Sequence, residues 1–140
     1  MVSVDKLTRK FIQLDEYLEV LGKVASIPEK DFLKDKIVIG SAKYYLQASI
    51  ECCLDITNHI IAAERFRAPE DYADSFAILM ENDIVASDLC RKLMQMAKFR
   101  NRLVHLYGEI DNHYVYEFLH NDLDDITSYR KIIMQRYKLV

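Results

Sequence analysis

Between the chain's two prolines, Pro28 and Pro69, one stripe of side chains keeps helical spacing for about seven turns. Val38, Ala42, Tyr45, Ser49, Cys52, Ile56, His59 and Ala63 recur at alternating intervals of four and three, which places them on one face of an α-helix. The predicted helix starts at Asp31 or Asp35 and reaches Phe66. Gly40 and Ser41 are its weak points, where a kink or a later start is expected. In a chain of 140 residues a helix this long spans a whole bundle or projects from it. Three glycines in all are too few for the tight turns of a sandwich or barrel. The expectation is an all-α, antiparallel bundle of four to five helices, in one domain over residues 1–140.

The flanking segments agree. Leu7, Phe11, Leu14, Leu18 and Leu21 stripe a first helix over 3–25, with Ser3 or Asp5 as cap and Ser26-Ile27-Pro28 as its end. A short third helix begins at Pro69 or Glu70, with Pro69 at a favourable first position, and turns Phe76, Leu79 and Met80 inward. The fourth helix takes Ser87 as N-cap, carries Leu89, Leu93, Met96, Phe99 and Leu103 on its buried face, and stops at Gly108. A last helix runs from Asp111 or Asn112 to about Arg136 and buries Val115, Phe118, Leu119, Ile126, Ile133 and Tyr137.

Composition removes several functional classes. The apolar runs fall well short of the roughly 20 residues that span a bilayer, so no membrane partner is expected. The charged N-terminus has no signal-peptide core. Cys52, Cys53 and Cys90 are odd in number and lack zinc-ligand spacing, which fits a reducing, cytoplasmic address. The net charge is −3, so the chain is not a globally basic nucleic-acid binder. Its positive charge is local: Arg91, Lys92, Lys98, Arg100 and Arg102 lie between Asp88 and Glu109 with no acid among them. Such a stripe holds a few phosphates but does not coat a long duplex.

The chemistry is concentrated at the end of that stripe. His105 falls in the last turn of the fourth helix, where the helix dipole favours an imidazolium. Asn101 lies four residues earlier on the same face. Arg100 offers a planar fork suited to phosphate, Arg102 adds a second cation, and Tyr107 follows as the helix ends. An Arg, an amide, a His and a Tyr this close together suit phosphodiester chemistry, with the His moving a proton and the Arg stabilising charge on phosphorus. Arg100 and His105 are nevertheless about 140° apart around an ideal helix. Either the Arg side chain wraps round, or the helix loosens before Gly108, or a second subunit completes the site. A purely structural reading also exists, since basic residues in a last turn complement the dipole without doing chemistry.

The segment RNRLVHLY at 100–107 matches an Arg-x4-His-x-Tyr signature, and it resembles the HEPN superfamily. The context KLMQMAKFRNRLVHLYGEID at 92–111, with YYLQASIECCLDITNHIIA at 44–62 and DYADSFAILMENDIVASDLCRKL at 71–93, is similar to the HepT-like toxin branch. The resemblance implies a dimeric, metal-independent endoribonuclease with no cofactor, its two motifs facing each other across a shared cleft. It implies Arg100 and His105 as the catalytic pair, with Asn101 and Arg102 in support. It further implies a minimal nucleotidyltransferase antitoxin as partner, which transfers AMP to Tyr107 and blocks RNA. A second reading uses the same residues without catalysis, as a helical module that binds a nucleotide or a nucleotidyltransferase.

Other clusters read as scaffold. His113, Glu117, His120 and Asp124 share one face of the expected last helix, but a di-iron bundle needs a second such motif, and the chain has none. Glu51, Asp55 and His59 read as the polar edge of the long helix, the alternative being that Asp55 or His59 borders the dimer cleft. Tyr114 and Tyr116 read as core or interface area before base-stacking platforms. Cys52, Cys53 and Met96 read as core filler.

Overall fold

The hydroxyl of Ser3 accepts the Lys6 backbone N–H at 3.2 Å, and this cap opens α1, Val4–Ala25. The structure, a computed structural model, describes residues 1–139; Val140 and the side chain of Tyr107 lie outside the described residues. Leu7, Phe11, Leu14 and Leu21 are buried as their spacing requires, with Leu18 half-buried. A single helical turn, α2 (Glu29–Phe32), follows Pro28 and buries Phe32. The Asp35 carboxylate then accepts the N–H groups of Ile37 and Val38, and the long helix α3 (Lys36–Ala63) begins.

α3 runs without interruption past Gly40 and Ser41, starting at Lys36 behind the Asp35 cap. It buries a wider band than one stripe, adding Leu46, Ile50, Cys53, Thr57 and Ile60 to the predicted face. The helix stops before Pro69 acts. Arg65 adopts a left-handed φ of 61° and the Phe66 N–H bonds back to the Ile61 carbonyl at 3.0 Å, a reversal usually given to glycine.

The third helix starts two to three residues later than its sequence suggested. Asp71, rather than Pro69, provides the start, its carboxylate capping Asp74 N–H at 2.7 Å ahead of α4 (Tyr72–Glu81). Met80 is exposed, and Ile78 takes an inward place beside Phe76 and Leu79. α5 spans Ser87–His105 with Ala86 at the cap position, so Ser87 is the first helical residue and caps nothing. Gly108 does not end it in a left-handed turn; it lies inside a 3-10 turn, Tyr107–Glu109, with ordinary negative φ. The expected single last helix is two, α6 (Asn112–Asn121) and α7 (Leu123–Tyr137), broken at Asp122 with no glycine or proline there.

The helices form an all-α antiparallel bundle, and among the described residues there is no strand. α3 is its axis: α1 packs along it on one side, α4 and α5 on another, and α6 closes against α1 and α3. Each fully buried Leu, Ile or Phe contributes about 1.5–3 kcal/mol by leaving water, and the core strings such residues through every helix. One polar knot interrupts it. The buried Tyr129 hydroxyl donates to the Cys53 carbonyl at 3.1 Å and sits 2.6 Å from Thr57 Oγ1, tying α7 to α3. All three cysteines are buried free thiols, each in a different seam. Cys52 Sγ faces Gln13 of α1 at 3.6 Å, the backbone carbonyl of Cys53 accepts the Tyr129 hydroxyl of α7, and Cys90 Sγ reaches the Phe76 carbonyl of α4 at 3.6 Å. Burial raises their pKa values, that of Cys52 to about 11. No helix among the described residues is long and apolar enough to cross a membrane.

Candidate functional site

The last two turns of α5 project Arg100, Asn101 and His105 into one open cleft of about 500 Å³. Its other wall is the start of α4 and the preceding loop, with Pro69, Glu70, Asp71, Tyr72 and Ser75, while Asn58 of α3 forms the floor. Asn101 lies angularly between its two neighbours on the helix, so a cleft this broad takes in all three despite the 140° between Arg100 and His105. The geometric objection to the pair is therefore met within one chain.

Arg100 is held on every side. Its Nη2 donates to Glu51 Oε2 at 3.1 Å, its Nη1 to Asn101 Oδ1 at 3.2 Å, and its guanidinium carbon lies 4.8 Å from the centre of the Tyr72 ring. The side chain is 14% exposed, and its Nε is buried without a partner. A smaller cavity of about 80 Å³ adjoins the cleft, sharing Asn58, Tyr72 and Arg100 with it and adding Glu51 and Asp55. His105 contrasts with this: it is exposed, in the final turn of α5, with no hydrogen bond to any described residue. An unencumbered imidazole at a helix C-terminus is free to exchange protons with whatever enters the cleft.

The loop wall is fixed by one arginine. Arg67 grips the Asp74 carboxylate with both terminal nitrogens at 2.8 Å and places Nε 3.0 Å from Glu81, while Asp74 also accepts the Glu70 N–H. Hydrogen bonds from Arg67 hold the Asp74 carboxyl down at about 2. Exposed pairs of this kind add little stability, but the bidentate geometry fixes residues 67–74 and with them the cleft edge.

The remaining predicted residues lie elsewhere. Arg102 points away from the cleft and stacks on Tyr114, 5.0 Å from its ring centre, so it does not join Arg100. Tyr114 packs on Phe99, and the Tyr116 hydroxyl donates to the Ile27 carbonyl at 2.6 Å, so both serve packing here. The backbone of Tyr107 opens the 3-10 turn just past His105; its side chain lies outside the described residues. His59 Nε2 accepts the Ser3 N–H at 3.0 Å and does not line the cleft, whereas Asp55 pairs with Lys10 at 2.9 Å at the margin of the smaller cavity. The helix break at Asp122 separates Asp124 from His113, Glu117 and His120. His113 faces Glu29 at 3.5 Å, and both ring nitrogens of His120 rest on backbone carbonyls. Sequence reasoning missed Glu51's contact with Arg100 and the cleft residues Asn58, Tyr72 and Ser75. Periodicity places each on a helix, but nothing local to them signals a partner up to 49 residues away.

The Ribonuclease HepT-like family model matches residues 14–137. The chain belongs to that family. Among curated relatives, the HepT-like chain is 28% identical over 115 residues to the mRNA nuclease HepT of Shewanella oneidensis, covering 82% of this chain and 83% of that one. It is 27% identical over 105 residues to the tRNA nuclease HepT of Aphanizomenon flos-aquae, covering 74% and 70%. Family and relatives alike place it among the ribonucleases. Among solved structures it is similar to the tri-AMPylated Shewanella oneidensis HEPN toxin in complex with MNT antitoxin, with 25% identity, a TM-score of 0.86, and 96% and 99% of the two chains covered. A toxin–antitoxin structure with AMP-PNP gives 25% identity, a TM-score of 0.86, and coverage of 94% and 98%.

Proposed function

We propose that this HepT-like chain is a metal-independent endoribonuclease toxin of the cytoplasm, acting as a homodimer of one-domain subunits. The observation that carries this reading is the convergence of Arg100, Asn101 and His105 in one cleft. A phosphodiester seated there meets a fixed cation and a free imidazole. His105 takes the proton of a ribose 2′-OH, the 2′-oxygen attacks the adjacent phosphorus, and the 5′-oxygen leaves with a proton. The products are a 2′,3′-cyclic phosphate and a free 5′-hydroxyl. Arg100 stabilises the charge that builds on the phosphoryl oxygens, and Asn101 orients the reacting groups. Side chains supply both proton carrier and cation, so the step requires no metal. A second copy across the cleft would bring a second His105 to protonate the leaving oxygen.

The partner reading follows the solved relative, an AMPylated toxin bound to its MNT antitoxin. In the present chain a minimal nucleotidyltransferase antitoxin transfers AMP from a nucleoside triphosphate to the Tyr107 hydroxyl, with pyrophosphate as leaving group. AMP on this tyrosine, two residues past His105 in the sequence, adds bulk and negative charge that repel RNA phosphate.

The test is partner-free protein, of verified unmodified mass, incubated with labelled RNA in EDTA beside Arg100→Ala and His105→Ala. Cleavage by the wild type and by neither variant is expected. Equal cleavage by His105→Ala, or strict dependence on added Mg²⁺, refutes the mechanism. No cleavage by unmodified wild type favours the non-catalytic binding module instead.

A further inference from the structure

We infer that Glu51 is a positioning residue for Arg100, fixing the guanidinium before RNA arrives. The inference rests on the ribonuclease reading for its kinetic consequences and on geometry alone for the placement. An arginine at a helix surface ordinarily samples many rotamers, and a phosphate that must first immobilise one loses part of its binding energy. Arg100 is not in that condition. Glu51 Oε2 accepts Nη2 at 3.1 Å, and Gln47, one turn earlier on α3, donates to Glu51 Oε1 at 3.0 Å. The acceptor is thus itself held, and it holds the arginine from α3, at the smaller cavity that adjoins the cleft. Asn101 takes one hydrogen of Nη1, and the Tyr72 ring covers a face of the guanidinium.

The donor count gives this arrangement its use. Each terminal nitrogen carries two hydrogens. Glu51 engages one on Nη2 and Asn101 one on Nη1, which leaves one on each nitrogen for a phosphate oxygen. The buried Nε has no partner, so the fork cannot gain by rotating to offer it while Glu51 stays in place. A carboxylate at this position has a second effect: its negative charge weakens the hold on phosphate. Glu51 therefore exchanges ground-state affinity for orientation, and its loss should separate kcat from KM.

The experiment has two arms. In the kinetic arm, Glu51→Ala lowers kcat by about 10- to 100-fold, the cost of a misplaced catalytic group, while KM stays level or falls. Glu51→Gln, which keeps an oxygen acceptor without the charge, restores kcat to near wild type with a lowered KM. A wild-type kcat in Glu51→Ala, or no rescue by Glu51→Gln, overturns the inference while the inactivity of Arg100→Ala and His105→Ala leaves the ribonuclease reading standing. In the second arm, NMR of 15N-labelled protein follows the Arg100 Nε–H, assigned by its loss in Arg100→Ala. That proton should exchange slowly in the wild type and rapidly in Glu51→Ala. Slow exchange in both overturns the inference, and this arm decides it even where no RNA is cut.

Discussion

Removing the Tyr129 hydroxyl tests how α7 is tied to the helix that carries the cleft floor. Tyr129 and Thr57 are both fully buried. The tyrosine donates to the Cys53 carbonyl, so the 2.6 Å contact must be Thr57 donating to the tyrosine oxygen. Tyr129→Phe keeps the ring and its edge-on packing against Phe76 while deleting one acceptor and one donor. The stranded Thr57 hydroxyl then has a substitute, because Cys53 lies four residues earlier on α3 and its carbonyl is within reach of a threonine at that spacing. The cost should therefore sit at the low end for a buried hydrogen bond, about 1 kcal/mol. Thr57→Val, which leaves the tyrosine its bond to Cys53, should cost about as much. The double variant also removes the substitute bond from Thr57 to the Cys53 carbonyl, so its cost should come close to the sum of the single costs, about 2 kcal/mol. Urea unfolding with a constant m-value measures all three, and each kcal/mol corresponds to about 3 °C in Tm for a chain of this size. A double variant that costs at least about 1 kcal/mol less than the sum, or a loss above about 3 kcal/mol for Tyr129→Phe, would show a stranded Thr57 hydroxyl and refute the substitution argument.

Further outcomes follow from other sites. His105→Ala should lower any RNA cleavage by about 10²- to 10⁴-fold yet shift Tm by no more than about 2 °C, since the side chain is exposed and bonded to no described residue; activity lost in step with stability contradicts the role. Burial, reinforced by Lys6 and the N-terminal ammonium, lowers the pKa of His59, whose Nε2 must stay unprotonated to accept the Ser3 N–H. Its contribution is thus complete above the unfolded value near 6.5 and is lost as pH falls through the lower folded value. A plot of Tm from pH 7.5 to 4.5 should be flatter for His59→Gln than for wild type, and parallel curves exclude the effect. Burial raises the pKa of Asp125, and its nearest cation, Lys92, is 3.9 Å away. Asp125→Asn should therefore raise Tm at pH 7, with the gain shrinking as pH falls and the wild-type carboxyl protonates; a pH-independent difference contradicts this.

The fold was legible wherever a stripe of side chains met a chemical stop. α1, α3 and α5 lie where the spacing of Leu7 to Leu21, Val38 to Ala63 and Leu89 to Leu103 puts them. The misjudged ends share a cause. Arg65 makes a left-handed turn without being glycine, and Asp122 breaks a helix without being proline. Neither residue carries the local preference by which such an end is read from sequence. Gly108 misled in the opposite sense, a residue suited to a left-handed turn that sits in a 3-10 turn instead. At the site, the α5 wall was readable because Arg100, Asn101 and His105 are neighbours in sequence. The surroundings of that wall were not, since Tyr72 of the facing wall and Glu51 of the adjoining cavity gain meaning only when α4 and α3 close on α5. Glu51 in particular reads locally as one more polar residue at a helix edge.

The three thiols give this protein an internal clock. Each cysteine sits at one seam: the Cys52 and Cys90 sulfurs at α1 against α3 and α4 against α5, and Cys53, through its backbone carbonyl, at α3 against α7. With every sulfur buried and its pKa raised, an alkylating reagent reacts only when a seam parts. The order in which Cys52, Cys53 and Cys90 acquire label is then the order in which the bundle comes apart. That sequence of openings can be timed in the native chain, without inserting a probe.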